Sequence, residues 1–574
     1  MPESQPAAIA SGGGAKETSS EPPVSARARV LLALILAAGL AAGATGLDWG
    51  LPYQWHTDEK VTQAINVLHS PRLDPDYFIN PHLHIYLVAA AFEIAYRVHP
   101  GYEVGRSFPE IFPMMDRGSP ARALQFLAMR LSRAESVLFG LATILIVFVV
   151  GRRHWGEAVG LLAAVFAAVT MGLVNLWHFA TPEGLLFLLM LAALALMDRL
   201  ISRGGMRDYA LTGACIGLAC STKYTAWLLA APFLAAHLAG RGARGAVHVS
   251  NLRKVAVAGV TAVMAFLAGT PLIVVDWRQF WEWGVVYNWY TGAPTGSLVE
   301  IRRSYGPYLA LLGDGLGWPL FALSLAGLAA GAAHLCVGDR RSAAGRGYLI
   351  HTTWVTVFYA FYGLSPHHAL RFIMPIAPSL VLLAASASVA FTERQRRPGA
   401  KRLALASVAA VLIYSAVYTA RADEMFLHDT RYAAGAWLNR TLTAPGARLD
   451  YFAIEAYLPY FDHPPFALRF VPFMEHATLH YDAFWTEARS YLRDSDAPIV
   501  DSNFYYDRYL DDPRRFPERA DLYRHLLTGT DVSGVRPVAR FTFENPRWLN
   551  PRPERVAPDV VVFGKAADTK TPRQ

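Results

Sequence analysis

VLLALILAAGLAAGATGLDW, residues Val30 to Trp49, followed by YQWHTDEK, residues Tyr53 to Lys60, sets an apolar span directly before a charged segment. The first stretch is almost wholly apolar apart from Asp48, and about 20 such residues make a helix long enough to cross about 30 Å of hydrocarbon. Arg27 and Arg29 precede it, and no convincing small-residue cleavage site separates it from the polar stretch. It therefore reads as a retained anchor rather than a removed signal peptide. An acidic pair, Asp58 and Glu59, stands a few residues beyond the span. Carboxylates held at a bilayer surface point to chemistry there.

Hydrophobic residues make up 53% of the 574-residue chain and charged residues 17%, with a mean hydropathy of +0.24. This composition belongs to polytopic membrane proteins rather than soluble enzymes. Further spans read at 136–150, 158–176, 184–196, 209–220, 225–239, 255–275, 308–333, 348–364, 372–391 and 403–419, which makes about eleven transmembrane helices. Residues 1–28, rich in Gly, Ser, Pro and Ala, read as a disordered tail. Cys215, Cys220 and Cys336 all fall in or beside apolar segments, so no disulfide framework is visible.

The net charge of +8 sits mostly in short loops, which argues against a nucleic-acid partner. Arg152 and Arg153; Arg199, Arg203 and Arg207; Arg241, Arg244, Arg253 and Lys254; Arg340, Arg341 and Arg346; and Arg394 to Arg402 mark one set of loops as cytoplasmic. The tail is then cytoplasmic in the inner membrane, and the alternate loops, 51–133 first among them, face outward. The apolar stretch 83–98 would invert every later loop if it crossed, so it is expected in the outer interface. From 421 to 574 hydropathy falls, and short apolar runs at 449–454 and 559–563 read as strands between helices. The expected architecture is an all-α membrane domain over 29–420, carrying the acidic pair, and an extracytoplasmic α/β domain over 421–574.

No P-loop or Rossmann glycine pattern, His-Glu-x-x-His or Gly-x-Ser-x-Gly occurs, which argues against nucleotide-driven pumping, zinc proteolysis and hydrolase chemistry. Carboxylates and cations at helix ends remain. Asp58 and Glu59 either complement the dipole of a helix capped by Thr57, or supply a general base whose pKa desolvation raises toward neutrality. Glu183, in His178-Phe179-Ala180-Thr181-Pro182-Glu183, either starts a helix or faces an interior cavity. Arg371 and Lys223 stand on the outward side against the usual charge bias, as snorkelling cations or as grips for an anionic head group. His82, His84, His367 and His368 fit packing and hydrogen bonding better than any zinc spacing. The aromatic loop 277–290 reads first as an interface belt and second as a stacking surface for sugars.

Trp55-His56-Thr57-Asp58-Glu59, Asn80-Pro81-His82-Leu83-His84, Thr181-Pro182-Glu183, Gly217 to Tyr224 and Leu370-Arg371-Phe372-Ile373-Met374-Pro375 occur in an order that resembles the integral-membrane glycosyltransferases of the C superfamily (GT-C). The likeness is to the family-39 type, which includes protein O-mannosyltransferases and the aminoarabinose transferase of lipid A, and it spans about 30–391. The resemblance implies a polyprenyl-phosphate sugar as donor, the bilayer as its medium, and a protein, lipid or glycan as acceptor. It makes Asp58 the catalytic carboxylate, with Glu59 and Glu183 beside it, and Lys223 and Arg371 the donor-phosphate holders. His82, His84, Tyr224, His367 and His368 become substrate-binding candidates. Glu183 stands where relatives often have Asp, and His82 and His84 stand where the lipid A enzyme has Glu-Lys. The resemblance fixes no cofactor and leaves a divalent metal open. Inverting transfer needs only one base and positive charge on the leaving phosphate. The rival classes are a lipid or glycan flippase, which calls for inverted repeats, and a non-catalytic envelope assembly protein, which calls for no convergence of these charges.

Overall fold

The computed structural model describes residues 23–51, 53–100, 122–287, 305–365, 368–461, 464–472, 481–530 and 534–565. The tail expected before residue 23, His367, and Trp289 with Tyr290 of the aromatic loop lie outside these residues. Seven described helices are long and apolar enough to cross a membrane. An eighth is added if α5 (Glu157–Ala168) and α6 (Met171–Trp177), bent by 60° to each other, count as one span. The seven include α1 (Ala26–Ala44), α4 (Arg122–Trp155), α7 (Glu183–Ser202), α10 (Val249–Gly269) and a helix over Leu370–Arg394.

The expectation of about eleven differs because several apolar runs fold as shorter pieces. α8 (Met206–Cys220) has only 15 residues, and the 225–239 run divides between a 3-10 segment at Tyr224–Leu229 and α9 (Ala230–Ala246). The 308–333 run breaks at Gly317, φ +77°, into helices Tyr305–Leu316 and Trp318–Val337. Residues Leu83–Val98 form α3, 16 residues long, packed between α2 (Val61–His69) and α4 and too short to pass as a span.

α4 and α7 pack side by side and connect two chemically different ends of the bundle. At one end Asp198, late in α7, receives Arg153 at 2.8 Å and Arg346 at 2.6 Å, while Arg241 donates to the Leu200 carbonyl at 3.2 Å. At the other end lie the loop after α1, the start of α7 and the C-terminal domain. That domain holds a five-stranded sheet in the order β2-β1-β3-β5-β4. β1 (Arg448–Tyr451) pairs in parallel with β2 (Ala467–Phe470) and β3 (Ile499–Ser502), and β5 (Val560–Lys565) runs antiparallel to β3 and β4 (Val535–Phe541). β1 and β5 fall on the two apolar runs read as strands. The helix Thr430–Thr441 begins after Asp429, which accepts from the Arg431 amide, as its acidic cap suggested.

One face of this sheet covers Phe452, Phe484, Leu492 and Tyr523, and the other packs Leu438, Leu449, Val500 and Val562 against Trp49, Tyr53, Trp55 and Phe179 of the membrane domain. A buried ionic latch reinforces that second core. Arg431, fully buried, places its guanidinium 3.9 Å from the Trp55 ring centre and pairs with Asp429, which also accepts from the Trp49 indole at 2.9 Å. The loop expected at an open bilayer surface is instead roofed: Trp55 and His56 are 0% exposed.

Candidate functional site

Each site residue is placed by a local feature of its own element. Gly50, φ +71°, lets the backbone fold onto Trp55, where a Cβ would meet the ring at 2.8 Å. The Asp58-Glu59-Lys60 loop is then tied to the 178–183 loop by the Lys60 amide on the Ala180 carbonyl, 3.3 Å. Pro182, φ −65°, turns the chain into α7 and leaves Glu183 in the first turn, where the helix dipole favours a carboxylate. Lys223 follows the end of α8, whose Gly213 and Gly217 lie against α10 so closely that an added Cβ would sit 2.1 Å from the Ala258 and Ala262 carbonyls. Small residues four apart permit this backbone contact between membrane helices. Ser221 then bonds Thr270 at 2.7 Å and fixes the turn that carries Lys223. Arg371 opens the Leu370–Arg394 helix.

These residues, distant from one another in sequence, meet as two ion pairs on one aromatic ring. Arg371 reaches Asp58 at 2.9 Å, Lys223 reaches Glu183 at 2.9 Å, and both cations lie over Phe372, at 5.0 and 5.1 Å from its centre. Lys60 stands between the two carboxylates and near the Tyr77 ring, 4.9 Å away. The Asp58 side chain keeps 36% of its surface accessible.

Electrostatics at Asp58 run opposite to the sequence expectation of a raised pKa. Burial does push its carboxyl up, but Arg371, then His56 and Lys60, outweigh it and hold the group well below the usual carboxylate range. Burial lowers His56 to about 4 and so keeps it neutral. Lys60 is lowered from the ordinary lysine value by burial, against the pull of Asp58 and Glu183.

Glu59 belongs to a different network. Its Oε1 accepts from Arg133 at 2.8 Å and from the Ala180 amide at 3.0 Å, and its Oε2 accepts from Arg133 at 3.0 Å. Arg133 also donates to the Leu47 and Trp49 carbonyls. With side chains 0% and 1% exposed, the pair clamps the Asp58 loop to α4 and to the loop before Glu183.

His82 bonds the Tyr77 carbonyl at 2.9 Å and packs on Phe78, and burial lowers it to about 4. His84 is buried within electrostatic reach of Glu183 and Lys60, and burial lowers it to about 3. The Tyr224 hydroxyl donates to the Phe78 carbonyl at 2.9 Å. His368 is exposed, with its ring 5.4 Å from Tyr308. Among the described residues no group of three or more His, Cys, Asp or Glu is arranged to hold a metal ion.

Four participants carried no sequence assignment: Lys60, Arg133, Glu554 and Arg555. Lys60 adjoins the acidic pair and was in plain view. Glu554, from the C-terminal domain, pairs with the Arg371 guanidinium and accepts from its amide at 3.0 Å. Arg555 acts electrostatically on Asp58 and bonds the Tyr457 hydroxyl at 2.7 Å. The site thus gathers Lys60, Lys223, Arg371 and Arg555 against Asp58, Glu183 and Glu554. One positive charge is left over, which suits an anion.

This fold, a helical bundle whose loops meet beneath a C-terminal α/β domain, has counterparts among solved structures. ArnT from Cupriavidus metallidurans, solved bound to undecaprenyl phosphate, is similar over 95% of this chain and 100% of that one, with a TM-score of 0.50 and 16% identity. The oligosaccharyltransferase AglB from Archaeoglobus fulgidus, solved with an inhibitory peptide and a dolichol-phosphate, is similar over 92% of this chain and 75% of that one, with a TM-score of 0.51 and 14% identity. At such identities the likeness shows the fold. A family model described as dolichyl-phosphate-mannose-protein mannosyltransferase matches residues 127–271, a stretch holding Arg133, Glu183 and Lys223 but neither Asp58 nor Arg371. No curated protein sequence matches the chain.

Proposed function

We propose that the protein is an inverting glycosyltransferase that moves a sugar from a polyprenyl-phosphate donor to an acceptor hydroxyl or amine on the outer face of the cytoplasmic membrane. The observation that carries this reading is the convergence of Asp58 and Glu183 with Lys223 and Arg371 around Phe372. An assembly protein gives no reason for these charges to meet. The family model over 127–271 and the lipid phosphates named for the ArnT and AglB structures support the donor class. The arginine-rich loops gather at the Asp198 end of the bundle, so the positive-inside rule turns the Asp58 end outward.

In the proposed reaction, the donor phosphate engages Arg371 and Lys223 at the depth where an isoprenoid head group meets water. The acceptor attacks the anomeric carbon from the face opposite the phosphate, Asp58 takes its proton, and the bond from that carbon to the phosphate oxygen breaks. Lys223 and Arg371 hold the departing charge. A carboxylate paired with arginine is a poor base, so the phosphate serves a second purpose: by drawing Arg371 toward itself it restores the basicity of Asp58. Glu183 orients Lys223, and Glu59 is a positioning residue acting through Arg133 and the 178–183 loop. Incubating the purified protein with a panel of radiolabelled polyprenyl-phosphate sugars tests the class. Label should leave the lipid fraction for one donor when a membrane extract supplies acceptors, and retention of label in the lipid across the panel would overturn the proposal.

A further inference from the structure

Arg371 has a second carboxylate partner, and it comes from the other domain. Glu554 lies in Asn550-Pro551-Arg552-Pro553-Glu554-Arg555, a strap fixed on both sides of the site. Its amide donates to Asn175 at 3.0 Å; just beyond, the Arg555 carbonyl accepts from Arg431 at 3.0 Å and the Ala557 amide donates to Asp429 at 2.7 Å. Arg555 holds φ +65°, a left-handed conformation that a non-glycine residue keeps only where its surroundings impose it. The strap therefore delivers the Glu554 carboxylate to one place, where one oxygen meets the Arg371 guanidinium and the other accepts the Arg371 amide. The side chain is only 10% exposed there.

Asp58 occupies Nη2 of Arg371 and Glu554 occupies Nη1. A guanidinium flanked by two carboxylates carries a local excess of negative charge, and both Nη ends of its fork already face a carboxylate. We infer that Glu554 is a built-in stand-in for the donor phosphate: it holds Arg371 until the donor arrives, and the incoming lipid phosphate must displace it. The C-terminal strap then sets donor affinity and ties donor entry to movement of the domain above. This rests on the proposed donor site at Arg371 and goes further by making Glu554 a competitor for it rather than a helper.

The test compares binding of undecaprenyl phosphate in detergent micelles by the wild type, Glu554→Gln and Glu554→Asp. Glu554→Gln keeps the shape and the acceptor for the Arg371 amide while removing the charge, and is expected to bind about tenfold tighter or better. Glu554→Asp keeps the charge but draws it back by one methylene, and is expected to bind tighter by a smaller factor; it also stands in should the first variant fold poorly. In an Arg371→Ala background the Glu554→Gln gain should vanish. Wild-type binding with equal or weaker binding by both variants overturns the inference alone. Failure of all three proteins to bind overturns the donor site and the inference with it.

Discussion

Glu59→Ala should unfold the site rather than merely silence it. Glu59 and Arg133 are almost fully buried, and the carboxylate takes two nitrogens of a guanidinium that otherwise holds backbone carbonyls of the 47–49 segment. Removing one member of such a pair leaves an uncompensated buried charge, a cost of about 3–5 kcal/mol. The Ala180 amide loses its acceptor too, which adds about 1–3 kcal/mol. A loss on the order of 4 kcal/mol or more is a large share of typical domain stability. Thermal unfolding of the detergent-solubilised protein should show a drop of several degrees, with Arg133→Ala falling by a similar amount. Replacing both residues with Met should recover much of the loss, because a buried ion pair can be exchanged for packed apolar groups at little cost. A Glu59→Ala protein that melts with the wild type but has lost transfer would rule out the structural role and return Glu59 to the chemistry.

Other expectations follow from the same contacts. Asp58 ionises well below the usual carboxylate range in the free site, so its pairing with Arg371 is present above the unfolded value of about 3.9 and is lost only as pH falls through the lower folded value. The acid limb of kcat/KM should therefore lie below that of kcat, since bound phosphate draws Arg371 away; coincident limbs would contradict this. Arg431→Ala strips the latch between Trp55 and Asp429 and should cost about 3–5 kcal/mol, read as faster limited proteolysis between the membrane and C-terminal domains. Gly217→Leu cannot be housed where a Cβ already falls 2.1 Å from the Ala262 carbonyl, and should weaken donor use through displacement of Lys223; a normal KM would count against that packing.

Charges at the ends of apolar helices are legible because the bilayer leaves few reasons to keep them. Asp58, Glu183, Lys223 and Arg371 stood out on that ground, and the structure brings all four together. Strands β1 and β5 and the helix after Asp429 were equally plain from their apolar runs and cap. Local signals fail where a partner is remote. Glu59 looked equivalent to Asp58 until Arg133, far along the chain, claimed both its oxygens, and nothing local marks Glu554 as a partner of Arg371. The pKa of Asp58 was expected to rise for the same reason: burial is readable from an apolar context, whereas the arginine that outweighs it is not. Hydropathy also does not register a positive-φ glycine such as Gly317 or a 3-10 turn such as Tyr224–Leu229, which divide apolar runs into shorter helices.

The central claim is that one negatively charged group performs the chemistry while two cations hold the lipid phosphate. Its most direct test measures, on the same preparations of Asp58→Asn, Lys223→Ala and Arg371→Ala, both retention of undecaprenyl phosphate and transfer of label from the donor that the wild type uses. Asp58→Asn should retain the lipid with no turnover, and the two cation variants should lose the lipid. Turnover by Asp58→Asn at the wild-type rate would contradict it.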